Sequence, residues 1–257
     1  MKFRPCIDIH NGCVKQIVGG SLRDDDNRAD NNFVSAKDAA YYAKLYKEDG
    51  YSGGHIIILN PQSSEYYEKD IEQAKSALTE YPGAMQIGGG INADNAERFL
   101  DMGASHVIVT SYVFRDGMID YDRLKKISKV TGSERLVLDL SCRRVDNKYF
   151  VVTDRWQKIT NEEFSIELID KLKQYCDEML VHAVDVEGKS SGVENDVIKI
   201  LGDVNDIPVT YAGGIHNIED LVAIKNLGNG KVDFTIGSAL DIFGGKIKYS
   251  ELKSIIK

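Results

Sequence analysis

Eight short apolar runs alternate with eight longer amphipathic ones along this chain, and no other feature of the sequence narrows its fold as much. The apolar runs lie at 3–9, 55–59, 84–88, 106–110, 135–140, 178–185, 208–212 and 232–237. Helical patterns occupy 36–48, 65–80, 93–102, 120–130, 162–175, 194–201, 217–227 and a last stretch near 248–256. Strands that alternate with helices build a parallel sheet, and eight such units predict closure into an α/β fold of the (β/α)8 TIM-barrel type. No Pro/Gly/Ser linker interrupts the 257 residues, so 1–257 is expected to be one barrel domain.

Two connections after strands are long, at about 10–35 and 141–161. Active sites of such barrels are built from the loops at the C-terminal ends of strands, where long loops are usually functional. The second contains Asp146–Asn147, a plausible hairpin turn, and carries Tyr149, Phe150 and Trp156.

One phrase occurs twice. "MQIGGGINADNAERF" (85–99) and "VTYAGGIHNIEDLV" (209–222) each end a strand in glycines and open toward a helix, close to half the chain apart. Glycine lets a backbone approach a ligand closely, and the first amides of a helix attract anions. The strand after each phrase ends in small hydroxyl residues, "VTSYVF" with Thr110 and Ser111, and "IGSALDIF" with Gly237 and Ser238. Gly89 and Gly90 with Thr110 and Ser111 are therefore expected to hold one phosphate. Gly213 and Gly214 with Gly237 and Ser238 are expected to hold another. Such glycines could instead simply make the tight turns of βα junctions. Two copies in corresponding places favour phosphate sites in a barrel of two half-barrel repeats, with a ligand phosphorylated at both ends.

The same comparison aligns Asp8, ending the first strand, with Asp139, ending the fifth. A carboxylate at a barrel mouth is costly unless solvated or used. Two that face one pocket can divide proton transfer, one as base and one as acid. The plainer alternative is that either caps a loop or pairs with Arg143 or Arg144.

Formal net charge is −8, and no dense run of Lys or Arg suggests a nucleic-acid or membrane surface. The partner expected is a small molecule. Cys6, Cys13, Cys142 and Cys176 show no metal-ligand spacing and are expected to be reduced thiols of a cytoplasmic protein. No cofactor or metal is expected, and the barrel is expected to act as a monomer.

"CIDIHNGCVKQIVGG", "MQIGGGI", "VIVTS", "LVLDLSCRR", "YAGGI" and "FTIGSALDIFGG" together resemble the phosphoribosylformimino-5-aminoimidazole carboxamide ribotide isomerases of histidine biosynthesis, in their eukaryote-like form. The resemblance runs from the first strand to about residue 245. It implies a duplicated (β/α)8 barrel and an Amadori rearrangement of a bis-phosphorylated aminoaldose ribotide, without metal or cofactor. It casts Asp8 as the base at C2′ and Asp139 as the acid on the ring oxygen. It casts Gly19 and Gly20 as glycines folding over the substrate, and Trp156 as an aromatic stacked on the substrate's imidazole.

The chain departs from the bacterial pattern at Ala183, where a threonine is typical. Asp185, Glu187, Ser190 and Ser191 are the candidates to replace the hydroxyl. It departs again at Asn60, where relatives often have Asp. The sister cyclase of imidazole glycerol phosphate synthesis shares both aspartates but has a lysine where Gln16 stands. Phosphoribosylanthranilate isomerase, which uses a cysteine near the start of its first strand, acts on a substrate with one phosphate. A non-catalytic sugar-phosphate-binding barrel would need the glycine sites but not both aspartates.

Overall fold

The computed structural model describes residues 1–18, 21, 29–189 and 191–255. The apolar runs form β1 (Cys6–His10), β2 (Gly54–Ile58), β3 (Met85–Gly88), β4 (Val107–Val109), β5 (Leu136–Asp139), β6 (Glu178–His182), β7 (Val209–Ala212) and β8 (Asp233–Phe234). Each leads to one helix: α1 (Ala39–Glu48), α2 (Tyr67–Glu80), α3 (Ala96–Asp101), α4 (Tyr121–Thr131), α5 (Ile166–Leu172), α6 (Asn195–Gly202), α7 (Ile218–Leu227) and α8 (Leu252–Ile255). Neighbouring strands pair in parallel in chain order. Phe3 then bridges Phe234, with Arg4 N donating to Phe234 O at 2.8 Å and Phe234 N to Lys2 O at 3.0 Å. That pairing closes the (β/α)8 barrel.

The two-residue period of each strand sorts its side chains. Outward residues such as Ile7, Ile56, Ile87, Val109, Leu138, Val181 and Tyr211 join the helices in one large apolar core. Inward, Ile108, Val137 and Leu180 form a separate small cluster with Ile57 against it. Below that cluster, Glu178 accepts from Thr210 Oγ1 at 2.6 Å and Gln86 Nε2 at 2.9 Å, and lies 3.5 Å from Arg4 Nη2. Arg4 Nε in turn donates to Asp233 at 2.9 Å.

The long connections are folded where they are described. Asn11 and Gly12, at φ +54° and +75°, reverse the chain so that Cys13–Ile17 runs antiparallel to β1. Positive φ at both central residues is the hairpin geometry an Asn-Gly pair favours. Asn60 and Asp70 pin this turn: Asn11 N donates to Asn60 Oδ1 at 2.7 Å, and Gly12 N to Asp70 Oδ1 at 2.6 Å. The second connection forms an antiparallel sheet of Cys142–Val145, Lys148–Thr153 and Lys158–Glu163, turning at Asp146 (φ +54°) as expected. The C-terminal pattern is shorter than expected, a 3-10 turn at Tyr249–Glu251 leading into α8.

Replacing Glu178 by alanine leaves Arg4, Gln86 and Thr210 without their shared acceptor inside the barrel. Breaking a buried pair from one side costs about 3–5 kcal/mol. A urea titration of Glu178→Ala should show that loss, with Glu178→Gln losing less. An unshifted alanine midpoint would mean the network contributes nothing to stability.

Candidate active site

The inward side chains at the C-terminal ends of the strands line a cavity of about 360 Å³. The expected residues within the described chain all reach it. Asp8 and Asp139 are on its floor. Gly89, Gly90, Thr110 and Ser111 lie at β3 and β4, and Gly213, Gly214, Gly237 and Ser238 at β7 and β8. Trp156 enters from the sheet after β5. Gly19, Gly20 and Ser190 lie outside the described residues.

The two glycine pairs share one backbone shape: φ is +108° and +68° at Gly89 and Gly90, and +125° and +73° at Gly213 and Gly214. A side chain at Gly213 would also stand 2.8 Å from the Ala183 carbonyl oxygen. The helices begin a few residues beyond these glycines, α7 within one residue of its expected start at 217 and α3 three residues after its expected start at 93. α3 starts at Ala96 and is only 6 residues long. α7 is already capped by Asn217 and Asp220, whose carboxylate accepts from His216 N and Asn217 N. The groups able to receive an oxyanion are instead loop amides. Those of Gly90, Ser111, Gly214 and Ser238 make no hydrogen bond among the described residues.

The two carboxylates have opposite surroundings. Burial pushes Asp8 up to about 7, and the Glu187 carboxylate adds to the rise; His182 and a hydrogen bond from Gln16 Nε2 at 3.1 Å only moderate it. At Asp139 burial also acts upward. The charge of His182, then hydrogen bonds from His182 and from Ser141, outweigh it and hold the carboxyl below its ordinary range. Ser141 donates to Asp139 Oδ1 through N at 2.8 Å and Oγ at 2.7 Å, and His182 Nδ1 lies 3.4 Å from Oδ2. Burial would lower His182, but Asp139 first, then Glu187 and Asp8, carry it up to about 9. Near neutral pH the pair is thus carboxylate and imidazolium, while Asp8 is partly protonated.

Trp156 Nε1 donates to Ser141 Oγ at 3.0 Å, and its ring lies 5.6 Å from that of His182. Asp154 N donates to Ser111 Oγ at 2.8 Å, tying the same turn to β4. Arg143 pairs with Asp185 at 3.3 Å, and Asp185 also accepts from Arg144 N, so neither arginine is on Asp139. That engages Asp185. Ser191 is exposed, which leaves Glu187 as the described candidate beside Ala183 that lines the cavity. Cys6 keeps its proton, pushed well up by burial and then by Asp8, and lies 3.6 Å from the Ile236 carbonyl.

Sequence reasoning did not place His182, Ser141 or Gln16 among the site residues, and it left Glu187 as one of four candidates to replace the missing hydroxyl. His182 and Ser141 had a signal: His182 ends a strand by the inward alternation that selects Asp139, and Ser141 follows that aspartate by two. Gln16 is found only through the Asn11–Gly12 turn that brings it back beside Asp8.

A family model described as histidine biosynthesis protein matches residues 2–248. Three similar proteins are each named 1-(5-phosphoribosyl)-5-((5-phosphoribosylamino)methylideneamino)imidazole-4-carboxamide isomerase. The Medicago truncatula protein, described as chloroplastic, is 50% identical over 256 residues, covering 98% of this chain and 80% of its own length. That of Yarrowia lipolytica is 47% identical, covering 97% and 96%. That of Saccharomyces cerevisiae is 41% identical, covering 96% and 94%.

Trp156 is the chain's one tryptophan, so its emission reports on this corner of the cavity alone. A protonated imidazole quenches a neighbouring indole. Emission should therefore rise as His182 loses its proton, with a midpoint near 9, and His182→Asn should abolish the step. A flat titration between pH 7 and 10 would contradict the ion pair.

Proposed function

The chain belongs to the histidine biosynthesis protein family, and we propose that Asp8 and the Asp139–His182 pair carry out the isomerisation for which its relatives are named. The reaction is an Amadori rearrangement of an aminoaldose to an aminoketose. The observation that carries the assignment of residues is the opposite proton affinity of two carboxylates on one cavity floor.

The pair holds a proton on His182 beside Asp139. Passed through Asp139 or directly, that proton goes to the ring oxygen as the bond from C1′ to that oxygen breaks, leaving a Schiff base between C1′ and the nitrogen. Asp8, a stronger base than an ordinary carboxylate, then takes the proton from C2′. The enolamine formed becomes the ketose when C1′ gains a proton and the C2′ hydroxyl loses one. No net proton or electron is consumed.

The loop amides at Gly90 and Ser111, and at Gly214 and Ser238, would hold the two phosphates. They sit on β3/β4 and β7/β8, four strands apart around a closed ring of eight. The shared backbone of the glycine pairs supports the reading of two related half-barrels within one domain. Trp156 would cover the imidazole of the substrate. We read the compartment as the cytoplasm from thiols that are all free, three of them buried. Among the described residues no helix is long and apolar enough to cross a membrane.

The test is an absorbance assay of purified protein with the aminoaldose ribotide, without glutamine or ammonia. Conversion to the ribulosyl isomer is expected, and Asp8→Asn and Asp139→Asn should each lower kcat by roughly 10²–10⁴ while retaining substrate binding. For the wild type, kcat/KM should rise with pH through about 7, as Asp8 ionises, and fall through about 9, as His182 loses its proton. Turnover only of the ketose with ammonia would assign the cyclase reaction. Asparagine variants that turn over normally would remove both aspartates from the chemistry.

A further inference from the structure

Asp70 is fully buried in the first turn of α2 and does not line the cavity. Its Oδ1 accepts from Gly12 N at 2.6 Å, and its Oδ2 is shut off from solvent with no hydrogen-bond partner among the described residues. A carboxylate in such a place is costly to keep. Burial pushes it up to about 6, against the Gly12 hydrogen bond and the charge of Lys15. The turn it holds is seated directly on the helix, since a Cβ placed on Gly12 would stand 3.2 Å from Lys69 Cβ.

That turn leads to Gln16. Two residue pairs, Ile9 with Val14 and His10 with Cys13, tie the returning strand to β1. Beyond them it pairs with Asn31–Val34, Lys15 opposite Val34 and Gln16 opposite Phe33. In so short a ladder the turn sets the register, and a slip of one residue would exchange the faces of Lys15 and Gln16. In the register adopted, Lys15 Nζ lies 3.5 Å from His10 Nδ1, while Gln16 turns the other way and lines the cavity. Gln16 Nε2 donates to Asp8 Oδ2 at 3.1 Å, and its Oε1 fills the space that a side chain at Gly237 would need. The charges that act on Asp8 are those of Glu187 on the turn after β6 and His182 on β6; Cys6, on its own strand, keeps its proton. The charge of Asp70 is not one of them, so its route to Asp8 runs through the turn and Gln16.

We infer that Asp70 is a positioning residue for the reaction: by fixing the Asn11–Gly12 turn it sets the register that brings the Gln16 amide onto Asp8. The inference rests on the reading of Asp8 as the base. The amide does two things for that carboxylate. It ties down one oxygen, and it moderates a proton affinity that burial and Glu187 raise. Without the amide a smaller fraction of Asp8 would be ionised near neutral pH. Asn60 shares the clamp through Asn11, so loss of Asp70 loosens the turn rather than releasing it.

The experiment compares wild type, Asp70→Ala, Asp70→Asn, Gln16→Leu, the double variant of Asp70→Ala with Gln16→Leu, and Asp8→Asn, with the aminoaldose ribotide across pH 5–9. Asp70→Ala should move the acidic limb of kcat/KM to higher pH, lowering kcat/KM at pH 6 roughly threefold to tenfold. Gln16→Leu should move the limb the same way and at least as far. Adding Asp70→Ala to it should move the limb no further, because both changes remove one interaction. Asp70→Asn, which keeps an acceptor for Gly12, should retain the wild-type limb. A merely structural role would lower thermal stability without moving the limb; that result, or limb shifts that add in the double variant, overturns the inference. If Asp8→Asn is inactive while Asp70→Ala keeps the wild-type profile, the inference about Asp70 is wrong and the base assignment stands. If Asp8→Asn turns over normally, the base assignment fails first and takes the inference with it. Should Asp70→Ala not fold, Asp70→Leu, which fills the space without offering an acceptor, takes its place in the same comparison.

Discussion

One buried ion pair organises the mouth of this barrel. Asp139 and His182 end adjacent strands, and the parallel register that pairs Leu180 with Asp139 sets their side chains side by side in the interior. Both are almost fully enclosed, where neither charge would survive alone. Together, with two hydrogen bonds from Ser141 completing the carboxylate, they form a stable unit that stores a proton at neutral pH. Ser141 then serves as the acceptor for Trp156, so the position of the aromatic follows from the pair. His55, which packs edge-on against His182 from β2, is pushed down to about 3 by burial and by His182, and so stays neutral. Of the two described histidines that line the cavity, only His182 is held protonated.

The turn that delivers Trp156 is held under strain. Asp154, Arg155 and Trp156 adopt φ of +52°, +54° and +68° in succession, a left-handed run that costs about 1–2 kcal/mol per residue. Its anchors offset that cost: Asp154 N on Ser111, Lys158 on the Asp154 carboxylate at 2.6 Å, and the indole on Ser141. Two of those bonds reach the ends of β4 and β5, so the turn couples the hydroxyl site on β4 to the ion pair on β5 and β6. An aromatic fixed in this way needs little ordering when a ligand arrives, which is the benefit that justifies strain at a site.

Order and closure of the barrel were legible because they follow from alternation and repetition, which are local properties of a sequence. The inward residues at strand ends were legible for the same reason, and Asp8, Asp139 and the four glycines share one cavity. What stayed hidden depends on contacts between distant segments. The start of α3 was placed three residues early because a run of helix-compatible residues such as "INADN" does not show where the first turn closes. In the structure α3 begins only at Ala96. Asn60 was weighed as a chemical group that had lost its proton, whereas its position makes it the clamp of the Asn11–Gly12 turn. The Asn-Gly pair itself is a strong hairpin signal, and the first long connection was still read as a loop. Asp185 and Glu187, two positions apart, could not be told apart by pattern. One is taken by Arg143 and the other opens on the cavity.

The distribution of charge fits the proposed anionic ligand and the proposed role of Asp8 as base. A lysine beside Asp8 would attract phosphate, but it would also stabilise the ionised carboxylate and weaken it as a proton acceptor. Gln16 supplies a neutral amide there instead, whose hydrogen bond lowers Asp8 only in part, so burial first and the Glu187 carboxylate second preserve the affinity of Asp8 for a proton. The positive charge of the floor is confined to His182, where Asp139 needs it. On the proposed reading, attraction for phosphate would fall to the rim amides of Gly90, Ser111, Gly214 and Ser238, which make no hydrogen bond among the described residues. These act at short range and leave the field at the floor almost unchanged. Separating the two tasks in space requires loops that bring backbone close to a ligand, and left-handed glycines at matching places on β3 and β7 provide that approach. On that proposed reading the repeated phrase and the unequal aspartates would share one electrostatic cause: a dianion is best held by neutral groups if a carboxylate between its ends is to act as a base.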